Sequence, residues 1–107
     1  LFGTCPYEHE LAHKTFELTE KVFYKAIEVR RGGSAALDIC YVASGKADLY
    51  YEMILRPWDW AGAYLILSEA GGYALTFEKN NLDANKIDSL VCGNKKVLEE
   101  FYEILQS

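Results

Sequence analysis

The 107-residue chain is half apolar and one quarter charged, the balance of a soluble globular protein with one domain and one hydrophobic core. Its net charge of −5 argues against a nucleic-acid or anionic-membrane surface, both of which need a basic patch, and suits cation binding through carboxylates. The longest uncharged apolar run, Trp60 to Leu67, is far too short to span a bilayer.

Cys5, Cys40 and Cys92 are odd in number and lack CxxC spacing. With no charged-then-apolar leader, they read as reduced thiols of a cytoplasmic protein. The chain opens Leu1-Phe2-Gly3-Thr4 without an initiator methionine, so a longer parent protein is expected.

Residues 1 to 5 are apolar, are stopped by Pro6 and predict the tail of a strand. From Glu8 to Ala26, Leu11, Ala12, Phe16, Val22, Phe23 and Ala26, with Thr15 and Thr19 between, form one stripe at helical spacing. Ile27 to Arg30 alternates like a strand with one wet face. Gly32-Gly33-Ser34 breaks the chain and caps a helix from Ala35 to about Ser44, stopped by Gly45. Ala47 to Met53, rich in tyrosine, predicts a strand that ends at Glu52.

Pro57 disfavours helix for the residue before it, so the next helix is expected to open at Asp59 as N-cap and to close at Gly71-Gly72. Tyr73 to Phe77 predicts a strand, 78 to 86 a polar loop, and Ser89 to Cys92 a last short strand. Gly93-Asn94 leads into a terminal helix with Val97, Leu98, Phe101, Ile104 and Leu105 on one face. Strands alternating with helices predict an α/β fold, a mostly parallel or mixed sheet of about five strands flanked by helices. The helices after Ser34 and Asp59 are apolar almost all round, so both are expected to be buried, with cover on more than one side that this chain alone need not supply.

Two acids, Glu52 and Asp59, sit seven residues apart at the ends of elements, across a proline-containing turn. In open α/β sheets ligands bind where strands end and loops lead into helices, an edge that both acids and Gly33-Ser34-Ala35 can reach. On spacing alone two accounts stand. Asp59 is a cap, Glu52 is solvated and Gly33-Ser34 is a turn, or all of them face one ligand.

The run from Arg31-Gly32-Gly33-Ser34-Ala35-Ala36-Leu37-Asp38 to Tyr50-Tyr51-Glu52 resembles the inositol monophosphatase family. So does its continuation through Pro57-Trp58-Asp59-Trp60-Ala61-Gly62 to Glu69-Ala70-Gly71-Gly72. The blocks stand in register, and the flanks fit as well, so the resemblance covers nearly the whole of residues 1–107 as a single domain. It implies the C-terminal half of a layered sugar-phosphatase fold, from an enzyme that hydrolyses inositol monophosphate or a related polyol or sugar phosphate. The resemblance implies that Asp59 binds a catalytic Mg2+. It also implies that Glu52 accepts a polyol hydroxyl and that Gly33, Ser34 and Ala35 lie along the same substrate. The family's upstream glutamate and Asp-Pro-x-Asp-Gly-Thr run do not occur here. Most metal ligands are therefore expected from a missing N-terminal half, the full-length protein is expected to dimerise, and this chain alone is expected to be inactive. No nucleic-acid or membrane partner is expected.

The alternative is a non-catalytic binding or dimerisation module. A separate motif, His9-Glu10-Leu11-Ala12-His13, matches the HExxH pattern of zinc peptidases on a predicted helix. No third ligand can be identified, and an exposed helix face with two incidental histidines explains the motif more simply.

Overall fold

The computed structural model describes residues 1–4 and 8–107; Cys5 and the strand-stopping Pro6 lie outside the described residues. The elements run β1 (Phe2–Gly3), α1 (His9–Phe23), α2 (Ala35–Ala43), β2 (Leu49–Leu55), α3 (Pro57–Glu69), β3 (Tyr73–Leu75), β4 (Asp88–Gly93) and α4 (Lys95–Gln106). The sheet order is β1-β2-β4-β3, with β1 parallel to β2 and β4 antiparallel to both of its neighbours. The α/β sheet is thus mixed.

Side chains alternate across a strand, so Tyr50 and Tyr51 must point to opposite faces. Tyr51, with Phe2 and Val91, belongs to a core completed by Leu18 and Val22 of α1 and by Leu98, Phe101, Tyr102 and Ile104 of α4. Tyr50, with Leu90, Cys92 and Ala74, belongs to a second core with Ile39 of α2 and Trp60, Ala63 and Leu67 of α3. Two helices thus lie on each face of the sheet. Burial pushes the Cys92 thiol up to about 12, so it stays protonated as a small apolar filler.

The terminal helix forms as expected. The Asn94 side-chain oxygen accepts from the Val97 amide at 2.8 Å, capping α4, while its lysines and glutamates face solvent. On α1 the buried face keeps Thr15, Thr19 and Val22 of the expected stripe but not its aromatics. Thr15, Leu18, Thr19 and Val22 go inward, whereas Phe16 and Phe23 are more than half exposed (54% and 56%). The threonines tolerate burial because their hydroxyls are paired, Thr15 donating to Leu11 O at 2.8 Å and Thr19 sharing 2.6 Å with the Tyr51 hydroxyl.

Three further expectations are corrected. Ile27 to Arg30 is not a strand, and the sheet has four strands among the described residues rather than five. β1 offers only two residues to pair with, so this segment passes its edge through one bridge, Phe2 to Arg31, and one hydrogen bond, the Phe2 amide to Arg30 O at 3.1 Å. The helix α3 begins at Pro57, not after Asp59, because a proline at the first helical position loses no hydrogen bond that the helix needs. The apolar helices α2 and α3 are buried only on their inner sides. Leu37, Tyr41, Trp58, Leu65 and Ile66 are exposed.

Candidate functional site

Beyond the point where the parallel strands β1 and β2 run out, α2 and α3 begin, and a cavity of about 190 Å³ opens between these four ends. All five residues singled out in the sequence line it: Gly33, Ser34 and Ala35 from the start of α2, Glu52 from β2, and Asp59 from the first turn of α3. Gly3, Thr4, Arg31 and Asp38 complete much of the wall.

Glu52 shares the Tyr50 face of β2, two residues on, and that geometry brings the pair together. The Tyr50 hydroxyl donates to Glu52 Oε1 at 2.7 Å. Glu52 is half-buried rather than solvated. Burial pushes its carboxyl above the usual range, the Tyr50 hydrogen bond pulls it back, and Asp59 nearby pushes it up again. Across the parallel pair, Gly3 sits opposite Glu52 in register, and a Cβ there would overlap the carboxylate. Glycine at position 3 makes room for the acid.

Asp59 is the third residue of α3, and its Oδ2 accepts from the Arg56 amide at 3.1 Å. This contact ties the acid to the helix start, and the residue lines the cavity rim. Ser34, by contrast, is a true N-cap, its hydroxyl accepting from the Leu37 amide at 3.4 Å. The cavity-facing segment 33–35 is therefore the amide-rich start of a helix, which favours anionic and hydroxylated groups.

Asp38 was not anticipated as a site residue. It is 1% exposed, it lines the cavity, and neither carboxylate oxygen has a hydrogen-bond partner among the described residues. Helical side chains lean toward the N-terminus, so a residue in the first turns of α2 reaches back beneath the Gly32–Ser34 turn. A Cβ on Gly32 would overlap the Asp38 carboxylate. Burial pushes the Asp38 carboxyl up; the Arg31 guanidinium opposes that shift. The sequence signal was available: Asp38 is the single charged residue of the helix AALDICYVA.

The donor set suits a hard cation in kind but not in number. Magnesium takes carboxylate oxygens and retains several waters. Among the described residues no three His, Cys, Asp or Glu side chains are placed to hold a metal ion. Asp59 brings one carboxylate to the cavity wall. The HExxH motif lies elsewhere, on the exposed start of α1, where His13 Nε2 pairs with Glu17 Oε1 at 2.6 Å. No helix among the described residues is long and apolar enough to cross a membrane.

The model of the inositol monophosphatase family matches residues 1–107. Nus factor SuhB of Xylella fastidiosa is 37% identical over 112 residues, spanning 98% of this chain and 40% of that protein. Inositol-1-monophosphatase of Rhizobium meliloti is 40% identical over 80 residues, spanning 73% of this chain and 29% of that protein. Among solved structures, the extragenic suppressor protein suhB of Bartonella henselae superposes with a TM-score of 0.85 at 30% identity, covering 99% of this chain and 40% of the other. Staphylococcal IMPase-II bound to inositol monophosphate gives 0.81 at 30% identity, covering 94% and 39%. The chain thus spans about two fifths of the length of most of these relatives.

Proposed function

This chain belongs to the inositol monophosphatase family, and from that premise we propose that it is the C-terminal domain of a magnesium-dependent phosphatase. The substrate is inositol monophosphate or a related polyol or sugar phosphate monoester. The observation that carries this reading is the meeting of Gly33, Ser34, Ala35, Glu52 and Asp59 around one cavity at the ends of β1 and β2. A resemblance in sequence blocks alone would not require it.

In this reading Asp59 offers the metal the oxygen that does not cap α3. Glu52, braced by Tyr50, accepts a hydroxyl of the polyol. The amides at the start of α2 hold the substrate against the wall. Magnesium, when bound, neutralises phosphate charge and lowers the pKa of a water for in-line attack. One metal ligand is too few for that chemistry, so this chain alone is inactive, and the rest of the site comes from the N-terminal part of the full-length, homodimeric protein. The free thiols Cys40 and Cys92 suit a cytoplasmic setting.

The test is phosphate release from inositol monophosphate with magnesium, comparing the full-length protein, its Asp59→Asn variant and residues 1–107 alone. The reading requires activity only in the first. Full activity in Asp59→Asn would remove the metal assignment, and turnover by residues 1–107 would remove the half-site.

A second reading, a non-catalytic binding or dimerisation module, is favoured by the exposed Leu37, Tyr41, Leu65 and Ile66 on the outer sides of α2 and α3. The name Nus factor, carried by several relatives, also points away from a purely enzymatic role.

A further inference from the structure

The Tyr50 ring is fully buried in the α2–α3 core, but its hydroxyl reaches the cavity wall by way of Glu52. A buried phenol needs a partner, and a backbone carbonyl would satisfy it. Here the partner is the one acid of β2, two residues on along the same face of the strand and part of the cavity wall. Burial, reinforced by the Glu52 carboxylate, pushes the phenol far above its usual range, so the hydroxyl keeps its proton and donates a hydrogen bond to the acid. The opposite side of the carboxylate is set by a missing side chain. Gly3 lies across from Glu52 in the parallel pair, and a Cβ there would overlap Glu52 Oε1 and stand 3.2 Å from the Tyr50 hydroxyl. Oε1 thus sits in a notch, with the phenol on one side and bare backbone on the other.

We propose that Tyr50 is a positioning residue for Glu52: its hydroxyl and the Gly3 notch together hold Oε1, so that the carboxylate meets a ligand in one orientation, through its other oxygen. Without the hydroxyl the carboxylate is free to turn about its terminal bond, which is a soft torsion. Burial would then favour its neutral form with no donor opposing it. The other charged groups that bear on Glu52 come from neighbouring segments: Asp59 of α3 and Asp38 of α2 favour its protonated form, and Arg31 its ionised form. Among the described residues Tyr50 is the one whose side chain donates to it. This inference rests on the cavity being the polyol site of the phosphatase reading, and it names the residue that holds the acceptor in place.

The test uses the full-length protein with Tyr50→Phe, which keeps the ring and removes the hydroxyl, and with Gly3→Ala, which displaces the oxygen. In Tyr50→Phe, KM for inositol monophosphate is expected to rise about tenfold, the loss of a hydrogen bond to a charged group, while kcat changes much less. The acid limb of kcat/KM, where activity falls as Glu52 takes up a proton, should move to higher pH. Both changes act on one carboxylate, so KM of the double variant should rise by less than the product of the single rises. Carboxyl 13C NMR without substrate, with Glu52→Gln assigning the signal, should show Glu52 titrating at higher pH in Tyr50→Phe than in wild type. A Tyr50→Phe protein that is merely less stable, with KM, acid limb and Glu52 titration unchanged, would reveal an ordinary buried phenol and overturn the assignment. Strict multiplication of the two KM rises would do the same. Should Tyr50→Phe fail to fold, Gly3→Ala decides on the same three readouts. If wild type releases no phosphate, the phosphatase reading falls and the NMR titration alone decides the positioning role. Phosphate release with an unmoved Glu52 titration keeps the phosphatase reading and removes this inference.

Discussion

The two faces of the sheet are built from the same four strands and end in different states. On the α1–α4 face every large buried group is matched: Tyr51 stacks between Phe2 and Phe101, and its hydroxyl meets Thr19 at 2.6 Å. Burial pushes that phenol up to about 12, with Thr19 pulling the other way. On the α2–α3 face the inner side is equally dense, but the end carries an unpartnered Asp38 and a raised Glu52, and the outer side shows bare leucine and tryptophan. One face pairs its buried polar groups; the other leaves Asp38 without a partner among the described residues. Both show apolar side chains outward, Phe16 and Phe23 on α1 and Leu65 and Ile66 on α3.

Substitutions can break that contrast. The largest effect is expected from Phe101→Ala, which empties the centre of the α1–α4 face and costs about 3–5 kcal/mol in urea unfolding of residues 1–107. A loss below about 1 kcal/mol would mean that α4 is loosely docked. Next comes Gly32→Ala, whose new Cβ overlaps Asp38 and which is expected to cost about 1–3 kcal/mol. Adding Asp38→Ala should recover most of it; strict additivity of the two changes would contradict the close approach.

Acidity gives a third handle. The carboxyls of Asp38 and Glu52 are both raised in the fold from ordinary values of 3.8 and 4.5, so the native state holds their protons more tightly than the unfolded chain. Their contribution to stability is present below those ordinary values and declines as pH rises through the raised ones. Thermal unfolding of Asp38→Asn should therefore fall less steeply over that window than wild type. A parallel pair of curves would show that Asp38 titrates normally. The smallest effect belongs to the exposed outer side: Leu65→Ser should change the stability of residues 1–107 by no more than about 0.5 kcal/mol.

Legibility differed between the faces for the same physical reason. The helix α4 could be read from sequence because its polar and apolar residues segregate, and the period alone says which side goes in. The helices α2 and α3 are apolar on all sides, so their period carries no direction, and the expectation of burial all round was wrong for Leu37, Leu65 and Ile66. On α1 the expected stripe included Thr15, Thr19 and Val22, which are buried, but also Phe16 and Phe23, which are not, because the period alone does not reveal which of its members find partners, as Thr19 does on a distant strand. In the cavity, Glu52, Asp59 and the 33–35 turn stood out because they sit at element ends. Asp38 stands inside a helix, where an isolated acid is usually a solvated one. Its being the one charge of an otherwise apolar helix was the sequence signal, and the close approach of Gly32 shows it buried.

The central position of β4 bears on how the chain acquires this shape during synthesis. It pairs with both β2 and β3, yet it follows both in sequence, with Gly93 bonded in register to Leu49 on one side and Tyr73 on the other. A ribosome therefore delivers both flanking strands before the strand that joins them. Until residues 88–93 emerge, those strands have open edges, and contacts that span some forty residues form late and slowly. A nascent chain stalled just before Asp88 is expected to hold helices and at most the short β1–β2 pair, and to be the form most exposed to proteases and to pairing with other chains.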